Sequence, residues 1–406
     1  MKGILISPNE SLPFPIMKIK ATKLFKEFFE SEKSGGLSLI ACTIVSLLVA
    51  NSVFGASVLA GFHWKIMGLS IEHWVNDGLM TIYFLLVGLE LERELYQGEL
   101  SVSPKQTILP IAGAIGGMLL PAGIHACLNW GTPQVRGAGI PMATDIAFSL
   151  GILSLFSSRV PLALKVFLTA LAIADDLGAI VVIATFYTKE LHLNYLFAGL
   201  AIFAIMCTLN RMRVWSLLPY LSGGVLMWWC FLNSGVHATI SGVMLAFAIP
   251  FGTGKEDSPS YVLQHRLHLP VSLGILPVFA LVNTCIPISD QWREQLTSSN
   301  SLGIILGLVL GKLFGILLFA YAVVRFGLSE LPEEVSWRHM AGAAFLAGIG
   351  FTMSIFVSLL AFEGQPDLIN ASQLSVLIAS LIAAVSGAIW FLTAVPKMES
   401  ISTATN

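Results

Sequence analysis

The 406-residue chain is 55% hydrophobic and only 11% charged, with a mean hydropathy of +0.81, whereas a soluble domain carries roughly 25% charged residues. An ordinary soluble enzyme is therefore excluded. Its 22 basic and 24 acidic residues leave a net charge of −2, which gives nucleic acid no basic surface to bind and provides no acidic tail. At ~20 apolar residues per crossing the length accommodates about a dozen spans, so the chain reads as an all-α polytopic membrane protein embedded in a lipid bilayer.

In chain order, residues 1–35 read as an N-terminal tail without the apolar core and small-residue cleavage site of a removable signal. Met17 is an alternative start, and no function is assigned to residues 1–16. Leu24, Phe25, Phe28 and Phe29 recur at helical spacing among Lys23, Lys26 and Lys33, the pattern of an amphipathic segment on the inner leaflet. The transmembrane domain is expected over 36–395. Its apolar runs, numbered helices 1–12, fall at about 36–54, 76–93, 107–128, 141–157, 162–187, 193–209, 214–231, 236–251, 269–288, 302–324, 340–362 and 373–395. Residues 396–406 form a C-terminal tail.

Lysine and arginine in the connections set the orientation. The two tails and the loops after helices 2, 4, 6, 8 and 10 hold 17 of them, and the opposite loops hold four: Lys65, Arg136, Lys189 and Arg293. Both termini are thus expected in the cytoplasm. The remaining basic residue, Lys312, stands in the middle of helix 10. The five cysteines (Cys42, Cys127, Cys207, Cys230 and Cys285) lie within or at the ends of apolar runs, without the spacing of a disulfide frame or metal centre. They read as packing residues, and no cofactor is indicated.

A charged side chain at the bilayer centre costs at least ~2.5–3.5 kcal/mol, which makes intramembrane ionisable groups candidates for function. Asp175 and Asp176 occupy the midpoint of helix 5 (LTALAIADDLGAIVV), Lys312 that of helix 10 (VLGKLFGILL), and Asp145 follows Thr144 in helix 4 (PMATDIAFSL). Three carboxylates face one lysine. One can pair with Lys312, and the others need protons or a cation, so the cluster reads as a cation site. Adjacent residues point about 100° apart around a helix, so one of Asp175 and Asp176 can face Lys312 and the other a water-filled cavity. The competing reading is a polar network that only fixes helix packing.

Helix 4 is short and starts at Pro141, and helix 11 (MAGAAFLAGIGFTMSIF) is weakened by Gly348 and Gly350 ahead of Thr352. Interrupted spans at corresponding positions expose backbone ends at the midplane, as in transporters. Helices 3–5 and 10–12 are seven spans apart, an odd number, so the triplets run in opposite senses as inverted repeats. Asp145 then offsets positive half-helix N-termini and Lys312 negative C-termini. Close packing of a glycine-rich helix 11 is the other reading of the same residues.

The motifs FLLVGLELEREL (84–95), ATDIAF (143–148), RVPLALKVFLTALAIADDLGAI (159–180), SGVHATISG (234–242) and GIGFTMSIF (348–356) resemble the NhaA family of sodium/proton antiporters. The resemblance runs from about Gly35 to helix 12. It implies an electrogenic, pH-regulated antiporter of the bacterial inner membrane that expels Na+ or Li+ in exchange for more than one H+, with crossed, interrupted helices 4 and 11. It further implies that Asp175 and Asp176 bind cation and protons, that Asp145 and Thr144 belong to the interrupted helix 4, and that Lys312 compensates charge; Asp176, when ionised, is then expected to bind Na+ with help from Asp145 or Thr144 and backbone oxygens. Asp77, near the periplasmic end of helix 2, matches an accessory carboxylate, and His237 a histidine of the pH response. By residue type alone, Asp77 reads equally as an interfacial charge and His237 as a cap. A cytoplasmic sensor is expected from Glu90, Glu92 and Glu94 with His265 and His268.

The chain also departs from the family. Gly311-Lys312-Leu313 lacks the proline that often follows the lysine. Glu92 stands where a lysine is common and Gln264 where an acidic residue is common, so the sensing surface is altered. The first external loop (55–75) is shorter than in many members, which weakens the implied homodimer through a β-hairpin. Two rival functions exist. An intramembrane aspartyl protease needs its two aspartates on separate helices in YD and GxGD settings, which do not occur. A proton-coupled solute symporter needs polar groups for an organic substrate, whereas these carboxylates suit a small hard cation.

Overall fold

In lipid, each backbone N–H and C=O must find a partner inside the protein, and this chain answers almost entirely with helices. The computed structural model describes residues 23–97, 104–188, 191–252, 254, 257–288, 290–332 and 334–397, and for 23–33 and 104–106 the backbone alone. The helices are α1 (Lys23–Ala50), α2 (Ile71–Tyr96), α3 (Pro104–Leu128), a broken α4 (Pro133–Met142, α4a; Ile146–Leu155, α4b), α5 (Leu162–Phe186) and α6 (Leu193–Arg211). There follow α7 (Leu218–Leu232), α8 (Ile240–Ala248), α9 (Pro259–Asn283), α10 (Ser299–Arg325), a broken α11 (Trp337–Ala347, α11a; Phe351–Ala361, α11b) and α12 (Pro366–Thr393).

Each of the twelve apolar runs carries a helix. Among the described residues, seven helices are long and apolar enough to cross a bilayer, or ten if each of three bent pairs (α4, α11, and Ser34–Ala50 of α1 with the short helix Gly55–Phe62) is one crossing. The two runs outside those ten are α7, of 15 residues, and α8, of 9. The last starts late because the chain first turns at Gly235, whose φ of +85° suits only a residue without a Cβ.

Three features differ from the sequence expectation. Helix 4 begins at Pro133 rather than Pro141, because the polar, glycine-containing stretch ahead of the apolar run winds as a 3-10 helix. Helix 9 begins at Pro259, ten residues before its apolar run. Three spans also contain a π-helical stretch: Trp74–Leu79 in α2, Val271–Ile275 in α9 and Gly307–Gly311 in α10. The irregularity of α10 therefore lies before Lys312, not after it. The short first external loop still holds a hairpin. Strands β1 (Lys65–Ile66) and β2 (Leu69–Ser70) pair antiparallel across Met67 and Gly68, both at positive φ, the backbone that two-residue hairpin turns need.

The expected amphipathic segment is part of α1, which runs unbroken from Lys23, but the side chains of Leu24, Phe25, Phe28 and Phe29 lie outside the described residues, as do residues 1–22 and 398–406.

The large core is shared by α2–α5 and α9–α12. A second cluster joins Leu85 and Leu89 of α2 to Met206, Tyr220, Phe231 and Leu245. Helix α2 is thus a seam, with Tyr83, Phe84 and Val87 in one cluster and Leu85 and Leu89 in the other. Helices α3 and α10 meet backbone to backbone: a Cβ on Gly116 would lie 2.2 Å from the Gly315 carbonyl oxygen, and the reverse is equally true. Leu48, Phe197 and Leu381 are exposed on the outside, as expected where the surrounding solvent is lipid.

Candidate cation site

The breaks in α4 and α11 cross at the level of Asp175 and Asp176. The halves of α4 bend by 42° and those of α11 by 44°, leaving 143–145 and 348–350 outside regular helix. Side chains from each break close the other. Ser149 donates to the Leu346 carbonyl (2.8 Å), and Ser354 donates to the Ile140 carbonyl (2.7 Å). These are reciprocal bonds from the start of one second half to the end of the other first half, a local sign of the inverted repeat. The Asp145 backbone N–H adds a bond of 2.7 Å to the Ile349 carbonyl.

Asp145 caps both second halves. One carboxylate oxygen accepts the Phe148 N–H at 3.0 Å, and the other accepts the Thr352 N–H at 3.1 Å and its hydroxyl at 2.6 Å. Two positive helix ends thus converge on one buried anion. Lys312 has the carboxylate partner that the charge count expects. Its ammonium pairs with Asp175 Oδ2, both side chains being fully buried. Thr144 stands within 2.8 Å of that same Asp175 oxygen and of the Ala347 carbonyl, and its single hydroxyl hydrogen serves one of them at a time.

Among the described residues, Asp176 has no ion pair with a lysine, arginine or histidine. Its Oδ2 accepts a 3.2 Å bond from the Tyr83 hydroxyl, and its Oδ1, like Asp175 Oδ1, is buried without a donor. Such orphans are rare and costly. Two fully buried carboxylates, each with an open oxygen, beside only one ammonium form a donor set for a small hard cation or for protons. Tyr83 was not singled out from the sequence, because a tyrosine within an apolar run reads as core. Its place seven residues before Glu90 in the FLLVGLELEREL helix was the only available signal.

The remaining candidates lie toward the two mouths. Asp77 sits in the π-helical stretch of α2, 3.0 Å from the His73 ring. Its backbone carbonyl accepts the Trp228 indole N–H at 3.1 Å and the Thr81 hydroxyl. His237 contacts the Tyr187 carbonyl at 3.0 Å. Asp77 and His237 line a cavity of about 330 Å3 together with Glu72, His73, Glu363 and Phe356. None of Asp145, Asp175 and Asp176 lines it. The ring of Phe356 packs instead on the buried Phe84 (5.5 Å) and Phe279 (6.4 Å). At the other end, Glu90 lies 3.8 Å from His268, and buried Glu92 accepts from Ser260 at 3.2 Å. Gln264 is buried nearby on α9. Glu94 is half-buried, whereas His265 is exposed with its ring on Tyr261. The structure thus joins Glu90 to His268 and leaves His265 facing outward. A cavity of about 30 Å3, room for roughly one water, is lined by Glu90, His268, Tyr83, Asp145 and Thr352. Neither Asp175 nor Asp176 lines this cavity, which reaches their neighbours Tyr83 and Asp145 from the C-terminal end of α2.

Comparison with known proteins fits this geometry. The model of the family Na+/H+ antiporter 1 matches residues 26–391. The chain belongs to this family. Among relatives, the Na(+)/H(+) antiporter NhaA 1 of Flavobacterium johnsoniae is 56% identical over 372 residues, covering 92% of this chain and 97% of the relative. The Na(+)/H(+) antiporter NhaA of Dechloromonas aromatica is 56% identical over 374 residues, covering 91% and 96%. That of Vibrio campbellii is 44% identical over 377 residues, covering 92% and 96%. In this member of the Na+/H+ antiporter family, the crossed breaks, the aspartate pair and the intramembrane lysine form one connected polar cluster.

Proposed function

We propose that this protein is an electrogenic, pH-regulated antiporter that moves Na+ or Li+ out of the cell in exchange for protons. The observation that carries the reading is the pair of fully buried carboxylates, each with an unsatisfied oxygen, where two broken helices cross. The relatives' names as Na(+)/H(+) antiporters support the same substrates.

In this reading Asp176 binds the cation when ionised, with Asp175 and Thr144 alongside, and protons displace it by neutralising the same oxygens. Asp145 has both oxygens engaged by helix ends, so it holds the crossing together and is not a free ligand. Lys312 compensates the Asp175 charge, and separation of that pair supplies a further proton step. Glu90, Glu92, Glu94, His265 and His268 are the groups available to sense pH at one mouth; Asp77 and His237 stand at the other. Rocking of the repeat-bearing helices past the seam helix α2 exposes the site alternately to each side. We assign the protein to the bacterial plasma membrane with both tails in the cytoplasm, so that the opening beside Glu90 faces inward. The hairpin at residues 65–70 provides an edge for a homodimer. Organic-solute symport is disfavoured because the open groups of the site are two buried carboxylate oxygens, which suit a small hard cation.

Reconstitution into proteoliposomes tests the reading. Na+ or Li+ added to the outside should collapse an imposed proton gradient, and an organic solute should not. Proton flux that follows a solute and ignores Na+ would overturn it.

A further inference from the structure

Any exchanger must stop its empty, ionised form from crossing, because a carrier that returns empty lets Na+ run down its gradient without moving protons. A ligand releases such a restraint only if it weakens a contact that the empty form makes. The contact between Tyr83 and Asp176 has this property. Tyr83 belongs to α2, whose backbone is held against α8: a Cβ on Gly242 would fall 2.2 Å from the Thr81 carbonyl oxygen. Asp176 belongs to α5, in the larger core. The 3.2 Å bond therefore ties the transport carboxylate to the seam helix, which packs into both hydrophobic clusters. Asp145 and Glu90 share the cavity that Tyr83 lines, and Lys312 pairs with Asp175 instead, so no cation competes with the hydroxyl for Asp176 Oδ2 among the described residues.

Resting on the cation-exchange reading above, we propose that Tyr83 is a latch. Its hydroxyl holds the empty, ionised carrier in the conformation seen here and lets go once a proton or Na+ occupies Asp176. A hydrogen bond to an ionised carboxylate is roughly twice as strong as one to a neutral group, so loading the site weakens the tie. At 3.2 Å the bond is longer than the usual ~2.5–3.0 Å O–H···O range, which suits a contact broken in every cycle. Tyr83 is in this sense a positioning residue: removing its hydroxyl should change which forms cross, not whether Na+ binds.

The test uses the full chain and Tyr83→Phe in proteoliposomes, with both sides clamped at about pH 8.5, far above the ordinary carboxylate range. Efflux of radiolabelled Na+ is measured into Na+-free medium and into medium containing Na+. Wild type should lose label much faster into Na+, because only the loaded form crosses. Tyr83→Phe should keep that exchange near the wild-type rate, while its efflux into Na+-free medium rises several-fold and the difference narrows. An unchanged ratio of the two rates in Tyr83→Phe overturns the latch, and so does loss of exchange in folded protein. Should Tyr83→Phe fail to reach the membrane, Tyr83→Met, which also lacks a donor, is read by the same two outcomes. Failure of the wider reading looks different: wild-type vesicles then show no sodium–proton exchange, and the latch falls with it.

Discussion

Asp175 and Asp176 are neighbours in sequence yet have different partners. Asp175 has an ammonium and a hydroxyl on one oxygen, Asp176 only a phenol. The ~100° step between adjacent helical residues produces this division, and from it follow unequal roles. Asp176→Asn removes the uncompensated charge, so Na+-dependent proton flux should vanish in vesicles while the protein still purifies as a folded species; sodium-coupled flux at the wild-type rate would contradict the assignment. Lys312→Leu leaves Asp175 buried without its counter-ion, a change that costs on the order of 3–5 kcal/mol unless the acid takes up a proton. The thermal midpoint in detergent should fall for Lys312→Leu and fall less for Lys312→Arg, which keeps the charge but not the shape. Equal stability of Lys312→Leu and wild type would remove the ion pair from the account.

At the scale of elements, the crossing of α4 and α11 depends on one capping residue. Asp145→Ala strips acceptors from two helix N-termini at once, at about 1 kcal/mol per lost cap, whereas Asp145→Asn retains an acceptor oxygen. The alanine variant should therefore lose more thermal stability than the asparagine variant, and the reverse order would show that charge repulsion inside the site outweighs capping. What the sequence made legible at this scale follows from periodicity and cost. Long apolar runs announce spans, and a lysine or a double aspartate inside one is conspicuous because it is expensive there. The interruption of α11 was readable from Gly348 and Gly350. The 3-10 half of α4 was not, because Pro133, Arg136 and two glycines look like a loop until tertiary packing buries Gly137 and Gly139. The π-helical stretches were equally invisible, since one extra residue in a turn leaves an apolar run unchanged. Tyr83 escaped for a different reason: its hydroxyl matters only through a partner 93 residues away. The pairing of Lys312 with one of the two aspartates was readable from the charge count, and the structure shows that the partner is Asp175.

Over the whole molecule, the arrangement is one of unequal access. The larger vestibule beside Asp77 and His237 stops at the Phe356, Phe84 and Phe279 rings, while the narrow cavity beside Glu90 and His268 reaches Tyr83 and Asp145. In the proposed reading, protons and Na+ occupy the same carboxylates, Asp175 and Asp176, and therefore compete. The proposed sensor at Glu90, Glu92 and His268 would add a second layer, distinguishable because it would change the maximal rate and not only the affinity. The most direct test of the central claim is the apparent KM for Na+ in proteoliposomes between about pH 6 and 9, a range that brackets the ordinary histidine pKa. Competition for one protonatable site predicts that KM rises as pH falls, approaching about tenfold per pH unit once the pH lies below the pKa of the site, and that saturating Na+ recovers the rate that acid removed, up to any limit set by the sensor. A KM for Na+ that stays constant across this range would contradict a shared site at Asp175 and Asp176.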